Sequence, residues 1–162
     1  MYILSIGSNQ GNRTFYLNQS IQALNKVGVV NNTSSIYQTP SWGYKGGDYL
    51  NICISWTPKN LHLNELEILT ILQSIEHDLG RIRTDVQYID RVIDIDIISH
   101  SEKIIKHERL EIPHSKMHQR KFVLIPLAEI HPHFFHPVLK KTVSDLIETC
   151  VDTDEITLYG KL

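Results

Sequence analysis

The sequence predicts an α+β fold, with helices covering one face of a mostly antiparallel sheet. Residues 17–27 and 61–79 space their apolar side chains at helical intervals. Strand-like runs precede, separate and follow these two segments, and two such runs stand in a row between them. The 162 residues, 41% hydrophobic and 21% charged, suffice for one domain with a substantial core.

The elements follow in order. Tyr2 to Ile6 is apolar and reads as a short buried strand. Gly7-Ser8-Asn9-Gln10-Gly11-Asn12 reads as a turn and helix cap, because its residues bond readily to nearby backbone. Leu17, Ile21, Leu24 and Val27 keep helical spacing, and Gly28 reads as the stop. Val29 to Gln38 is β-branched, and Tyr49 to Trp56 alternates; both read as strands. The glycine- and aromatic-rich stretch 40–48 between them is long for a hairpin and suits a functional loop.

A second helix is expected from Leu61 to Leu79, with Leu66, Leu69, Leu72, Ile75 and Leu79 inward and Gly80 at its end. Residues 81–91 form a charged loop and Val92 to Ser99 a strand. A small strand or hairpin is expected at 103–110. A third helix, disturbed by Pro126, is expected at 116–130, a last helix at 139–150, and a short strand at 156–159. The order β-α-β-β-α-β is the split βαβ, ferredoxin-like plan.

A net charge of −2 gives no general pull toward nucleic acid or membrane, so any anion site must be built locally. Cys53 and Cys150 lack metal-type spacing; Cys53 reads as a small core residue, and a reducing cytoplasm fits. Gly7 interrupts the apolar start too soon for a signal peptide, and no run approaches membrane-spanning length.

The chemistry concentrates in Arg81-Ile-Arg83 and Arg91-Val-Ile-Asp94-Ile-Asp96. Residues i and i+2 of a strand share a face, their Cα atoms roughly 6.5–7 Å apart. Asp94 and Asp96 then point one way while Ile93, Ile95 and Ile97 point into the core. Two such carboxylates can hold Mg²⁺ or bridge two ions; equally, they can be solvated on an open sheet face. Arginine's planar fork suits phosphate, so Arg81, Arg83 and Arg91 could close over a nucleotide. They could equally pair with Glu76, Asp78, Asp85 and Asp90.

His114 and Arg120 could reach phosphates, and Phe122 could stack on a flat ring; a structural histidine and a core phenylalanine are the plain alternatives. Thr39-Pro40, Trp42, Tyr49 and Asn51 could line a pocket for a planar polar heterocycle, although Tyr49 could be an ordinary strand residue. His131, His133 and His136 approach metal spacing but abut prolines, which favours a surface loop.

In order, these pieces resemble the 6-hydroxymethyl-7,8-dihydropterin pyrophosphokinase family of folate biosynthesis. The matching stretches are Ser5-Ile-Gly-Ser-Asn9, Tyr37-Gln-Thr-Pro40, Asp48-Tyr-Leu-Asn51, Glu76 through Gly80-Arg81-x-Arg83, Arg91 through Asp94-Ile-Asp96-Ile, and Ile112-Pro-His114 through Glu129. The resemblance implies transfer of an intact diphosphate from ATP to the pterin hydroxymethyl oxygen, giving AMP. It also implies a ferredoxin-like fold, usually monomeric, with two Mg²⁺ ions; a cytoplasmic protein with no nucleic-acid or membrane partner is the expectation from the charge, cysteine usage and hydropathy above.

Carried over by position, Asp94 and Asp96 would hold the ions, and Arg81 and Arg91 would act on the transferring phosphates. Gln73, Glu76, Arg83, His114 and Arg120 would bind ATP. Tyr49 and Phe122 would sandwich the pterin, Asn51 and Thr39-Pro40 would read its edge, and Trp42 would close the wall. Two departures stand out. Family members often carry Arg-Trp-Gly-Pro-Arg where this chain has Gln87-Tyr88-Ile89-Asp90-Arg91, and an aromatic or proline where it has Ser115.

An RNA-binding sheet would need an aromatic motif that this chain lacks. A small-molecule regulatory domain would not need Asp-x-Asp beside three arginines.

Overall fold

The computed structural model describes residues 1–82 and 89–162. Its first half runs β1 (Tyr2–Ser8), α1 (Arg13–Val27), β2 (Gly28–Thr33), β3 (Ile36–Thr39), β4 (Tyr49–Pro58), α2 (Glu65–Asp78) and β5 (Asp94–His100). A small hairpin follows, β6 (Ile105–His107) and β7 (Leu110–Ile112), then α3 (Lys121–Ile130). The two-residue strands β8 (Phe135–His136) and β9 (Lys141–Thr142), α4 (Val143–Glu148) and β10 (Thr157–Gly160) complete the chain.

β4 is the spine of the sheet. It pairs antiparallel with β1 along one edge and with β2 and β3 in succession along the other. β5 flanks β1 and β10 flanks β3, both antiparallel. With β2 and β3 counted as one broken strand, this is the split βαβ order expected from the sequence. The break falls at the buried Ser34 and Ser35.

Strand alternation sorts the side chains. Leu4, Ile6, Ile52, Ile54, Ile95 and Ile97 face α1 and α2 and pack on Leu17, Leu24, Ile68, Leu72 and Ile75. Each such side chain fully removed from water contributes about 1.5–3 kcal/mol. Trp56 is fully buried here, its indole N–H donating to the Leu24 carbonyl at 3.2 Å. Gly28 is extended rather than left-handed, so it is no helix-stop glycine. Its role is to leave room for Trp56, whose Nε1 would lie 2.2 Å from an added Cβ.

α2 begins at Glu65, four residues later than the apolar spacing suggests. Asn64 caps it, accepting from the Leu66 and Glu67 N–H groups, and Glu67 accepts in return from the Asn64 N–H at 2.7 Å.

The second face is also covered, over half its length, which corrects the expectation of helices on one side. Ile3, Cys53 and Ile98 lie under Val123, Leu124, Leu127, Val143 and Leu146 of α3 and α4. Farther along the same face the residues become Ser5, Gly7, Asn51, Asp94 and Asp96, and no apolar helix can seat there. The uncovered half is where the cavity opens. Among the described residues, no helix is long and apolar enough to cross a membrane.

Candidate active site

A cavity of about 510 Å³ occupies the uncovered half of the sheet. β1 and β4 floor it with Ser5, Gly7, Tyr49 and Asn51, and β5 adds Asp94 and Asp96. Its walls come from the end of β3, the 40–48 loop, α2, the tip of the β6–β7 hairpin, and the residues leading into α3. Every residue the resemblance assigns to the ions, phosphates, ATP or pterin that lies among the described residues lines this cavity. Arg83, with Gln87 and Tyr88, lies outside the described residues.

One end is charged: four arginines and three carboxylates line the cavity among the described residues. Arg81 bonds Glu76 with one contact and Asp94 with another, and the Arg91 guanidinium donates to Asp94 Oδ2 at 2.9 Å. Glu76 is buried at 2% exposure and also accepts from the Ile95 N–H at 2.7 Å. It therefore fixes α2 against β5 and orients Arg81.

Asp96 differs from Asp94. Its charge is answered, at 4.0 Å, by Arg120. Desolvation on the cavity floor and the adjacent negative charge of Asp94 push its carboxyl well above the ordinary carboxylate range. Two oxygen donors on one strand face, one of them short of positive charge, suit a hard divalent cation such as Mg²⁺. Arg120 Nε is buried without an acceptor among the described residues, which suits an anion beside that cation.

The other end is aromatic. The Asn51 side chain is 3% exposed and donates to Thr39 Oγ1 at 3.0 Å, so its amide is held in one orientation. A Cβ on Gly7 would lie 2.9 Å from Asn51 Oδ1 and 3.3 Å from the Tyr49 ring, so glycine is what admits both side chains. Burial and a hydroxyl contact with Tyr44 at 3.0 Å keep the Tyr49 phenol above its ordinary pKa. The Arg120 guanidinium reaches across, 4.9 Å from the Trp42 ring and 5.5 Å from Phe122.

His114 lies at the charged end. Burial first, then the Arg120 charge, lower its pKa to about 4, so the ring is neutral near pH 7. Its Nδ1 accepts the Lys116 N–H at 3.1 Å, which leaves the proton on Nε2 as a donor. Gln73 lines the wall from α2.

Sequence reasoning missed Arg109, which lines the cavity from the hairpin tip; its signal was a lone arginine in an expected turn. It also misread Asn9. Gly7 and Ser8 belong to β1, Asn12 caps α1, and the Asn9 side chain bonds residues 47, 90 and 91 instead. The histidine-rich stretch gathers no group of three metal-ligating side chains among the described residues. His136 is buried rather than on a surface loop, and accepts the Val138 and Leu139 N–H groups.

A family model described as 7,8-dihydro-6-hydroxymethylpterin-pyrophosphokinase (HPPK) matches residues 3–132. The 2-amino-4-hydroxy-6-hydroxymethyldihydropteridine pyrophosphokinase of Bacillus subtilis is 39% identical over 130 residues, 78% of this chain and 75% of that protein. Its namesake from Aquifex aeolicus is 29% identical over 143 residues, 88% of this chain and 87% of that protein. Folic acid synthesis protein FOL1 of Dictyostelium discoideum is 38% identical over 141 residues, and the match spans 21% of its length. A crystal structure of a Plasmodium falciparum HPPK-DHPS variant with SDX-DHP superposes with a TM-score of 0.72 at 17% identity. It covers 91% of this chain and 44% of the parasite chain, and supports the fold.

Proposed function

This chain belongs to the 7,8-dihydro-6-hydroxymethylpterin-pyrophosphokinase family, and from that premise we propose that it transfers diphosphate from ATP to the hydroxymethyl group of 6-hydroxymethyl-7,8-dihydropterin, a step of folate biosynthesis. One observation carries this reading: a carboxylate pair, four arginines and an aromatic, amide-bearing pocket share a single cavity. A polyphosphate fits the first two, and a flat heterocycle with donors and acceptors on its edge fits the third.

Tyr49 and Phe122 bind the pterin faces. Asn51, held by Thr39, offers its amide to the ring edge beside Pro40, and Trp42 completes the wall. Gln73, Glu76, Arg83, His114 and Arg120 belong to the ATP side, and we assign Arg109, which lines the same cavity, to it as well. The neutral His114 donates from Nε2 without adding charge.

The pterin hydroxyl oxygen gives up its proton to solvent and forms a bond to the β-phosphorus; the opposite bond, from that phosphorus to the oxygen bridging it to the α-phosphorus, breaks, and AMP departs carrying the electron pair. Positioning and charge neutralisation carry most of the catalysis. Arg81 and Arg91 pair with Asp94 at the charged end of the cavity. In this reading they act on the transferring phosphates, where charge accumulates in the transition state.

Asp94 and Asp96 would hold Mg²⁺, two ions in this reading, which would supply charge neutralisation to the triphosphate. The chain acts as a cytoplasmic monomer and forms one domain over residues 1–162. In support, α4 packs on α3 and β10 pairs with β3, so the segment beyond the family match is part of the same fold.

Mixing the protein with ATP, Mg²⁺ and the hydroxymethyl dihydropterin should yield AMP and a pterin diphosphate. ADP as the product, or no pterin-dependent nucleotide turnover, would overturn the reading.

A further inference from the structure

Asp90 is an exposed carboxylate next to Arg91, yet one of its oxygens gathers three donors from distant parts of the chain. Its Oδ1 lies 2.6 Å from Asn9 Nδ2, 3.2 Å from the Tyr44 hydroxyl and 3.2 Å from the Gly47 N–H. The protons can be assigned consistently. Tyr44 gives its single proton to Asp90 and accepts from the Tyr49 hydroxyl at 3.0 Å. The two Asn9 amide protons go to Asp90 and to the Gly47 carbonyl at 3.1 Å.

Asn9 also grips Arg91 directly. Its Oδ1 accepts the Arg91 N–H at 2.8 Å, and its own backbone N–H donates to the Arg91 carbonyl at 3.2 Å. The approach of the 40–48 loop depends on glycine, because a Cβ on Gly46 would lie 2.3 Å from Asp90 Oδ1.

We infer that Asp90 is a positioning residue that latches the 40–48 loop to the Arg91 backbone, so that Trp42 and Tyr49 stand in fixed register with the arginine acting on the phosphates. Asp90 itself lies outside the cavity lining. This rests on the proposed pyrophosphokinase centre for its kinetic consequence, but not for its structural one. A carboxylate suits the role because one oxygen can accept several N–H and O–H groups at once. Alanine removes every one of these bonds, whereas asparagine keeps an oxygen at the same place.

The test uses the full chain and its Asp90→Ala and Asp90→Asn variants. Trp56 is fully buried and Trp42 is partly exposed, so acrylamide quenching of tryptophan fluorescence reports on the loop. The alanine variant should quench more steeply without ligand, while melting near the wild-type temperature. It should also lower kcat by about tenfold or more, as small misplacements of reacting groups do. The asparagine variant should recover most of both signals.

Unchanged quenching in the alanine variant overturns the latch. So does an asparagine variant as impaired as alanine. If the wild-type chain makes no AMP, the functional reading falls, and quenching across the same variants still decides the latch.

Discussion

The Arg91 guanidinium donates to Asp94 Oδ2 at 2.9 Å, and Arg81 holds the other oxygen of the same carboxylate. Asp94 is thus saturated with positive charge, while Asp96, two residues along the same strand face, lies 4.0 Å from its arginine partner. The two aspartates are thus unequal, and Asp96 is the one with the weaker counter-charge.

Replacing Asp96 by Ala should therefore abolish turnover while the protein stays folded. A loss of more than about 10²-fold in AMP formation is expected for removing a group that organises transition-state charge. Circular dichroism and thermal melting check the fold. Near-normal AMP production by a folded variant would remove Asp96 from the metal site.

Arg91→Ala should lower kcat far more than it raises KM for either substrate. Its guanidinium pairs with Asp94, and in the proposed reaction it acts on the charge that develops on the transferring phosphates. That pattern marks an interaction made in the transition state. Steady-state kinetics in both substrates would show a KM effect alone if Arg91 merely binds.

Gly7→Ala should raise KM for the pterin while leaving KM for ATP near its starting value. The added methyl would sit 2.9 Å from Asn51 Oδ1, displacing the amide that Thr39 orients. Isothermal titration with each ligand separately reads this directly. Equal weakening of both would place the damage in the sheet rather than in the pterin pocket.

His114 should not titrate through the usual imidazole range. Its folded pKa is lowered to about 4, below the ordinary value of 6.5. Between these values the unfolded chain binds the proton and the folded one does not, so stability falls as pH drops from 6.5 toward 4. Above 6.5 both states are neutral and the contribution is complete. Proton NMR of the His114 ring should show no midpoint near 6.5, and a His114→Asn variant should lose less stability over that acidic interval.

Glu129 joins the far end of α3 to β3. Its carboxylate accepts from the Ser35 N–H at 2.9 Å, the Ser35 hydroxyl at 2.8 Å and the Tyr37 hydroxyl at 3.0 Å. β3 leads to Thr39-Pro40, and α3 begins beside Phe122, so this clamp spaces two cavity walls. Glu129→Ala should destabilise the fold by about 1–3 kcal/mol, measured by urea unfolding.

Much of this protein was legible without coordinates. Period-two and helical spacing revealed the strand and helix order, because a half-buried element must repeat its apolar residues at its own geometric period. The same alternation put Asp94 and Asp96 on one face and Ile93, Ile95 and Ile97 in the core, where each isoleucine is at most 4% exposed. Local chemistry was harder to read where glycine served packing. Gly28 looked like a helix stop and instead clears space for Trp56, a partner 28 residues away that one chain segment cannot reveal.

Tertiary structure alone decided how the polar residues meet. Asn9 reaches Asp90 across a separation of 81 residues, and Arg109 enters the cavity because a hairpin tip happens to face it. Such pairings depend on where strands and loops come to lie after the core has condensed, and the pattern within a strand carries no record of them. The second face makes the same point. The sequence led to the expectation of helices on one face only; the seating of α3 on the apolar half of the other face is what turned its polar remainder into a site.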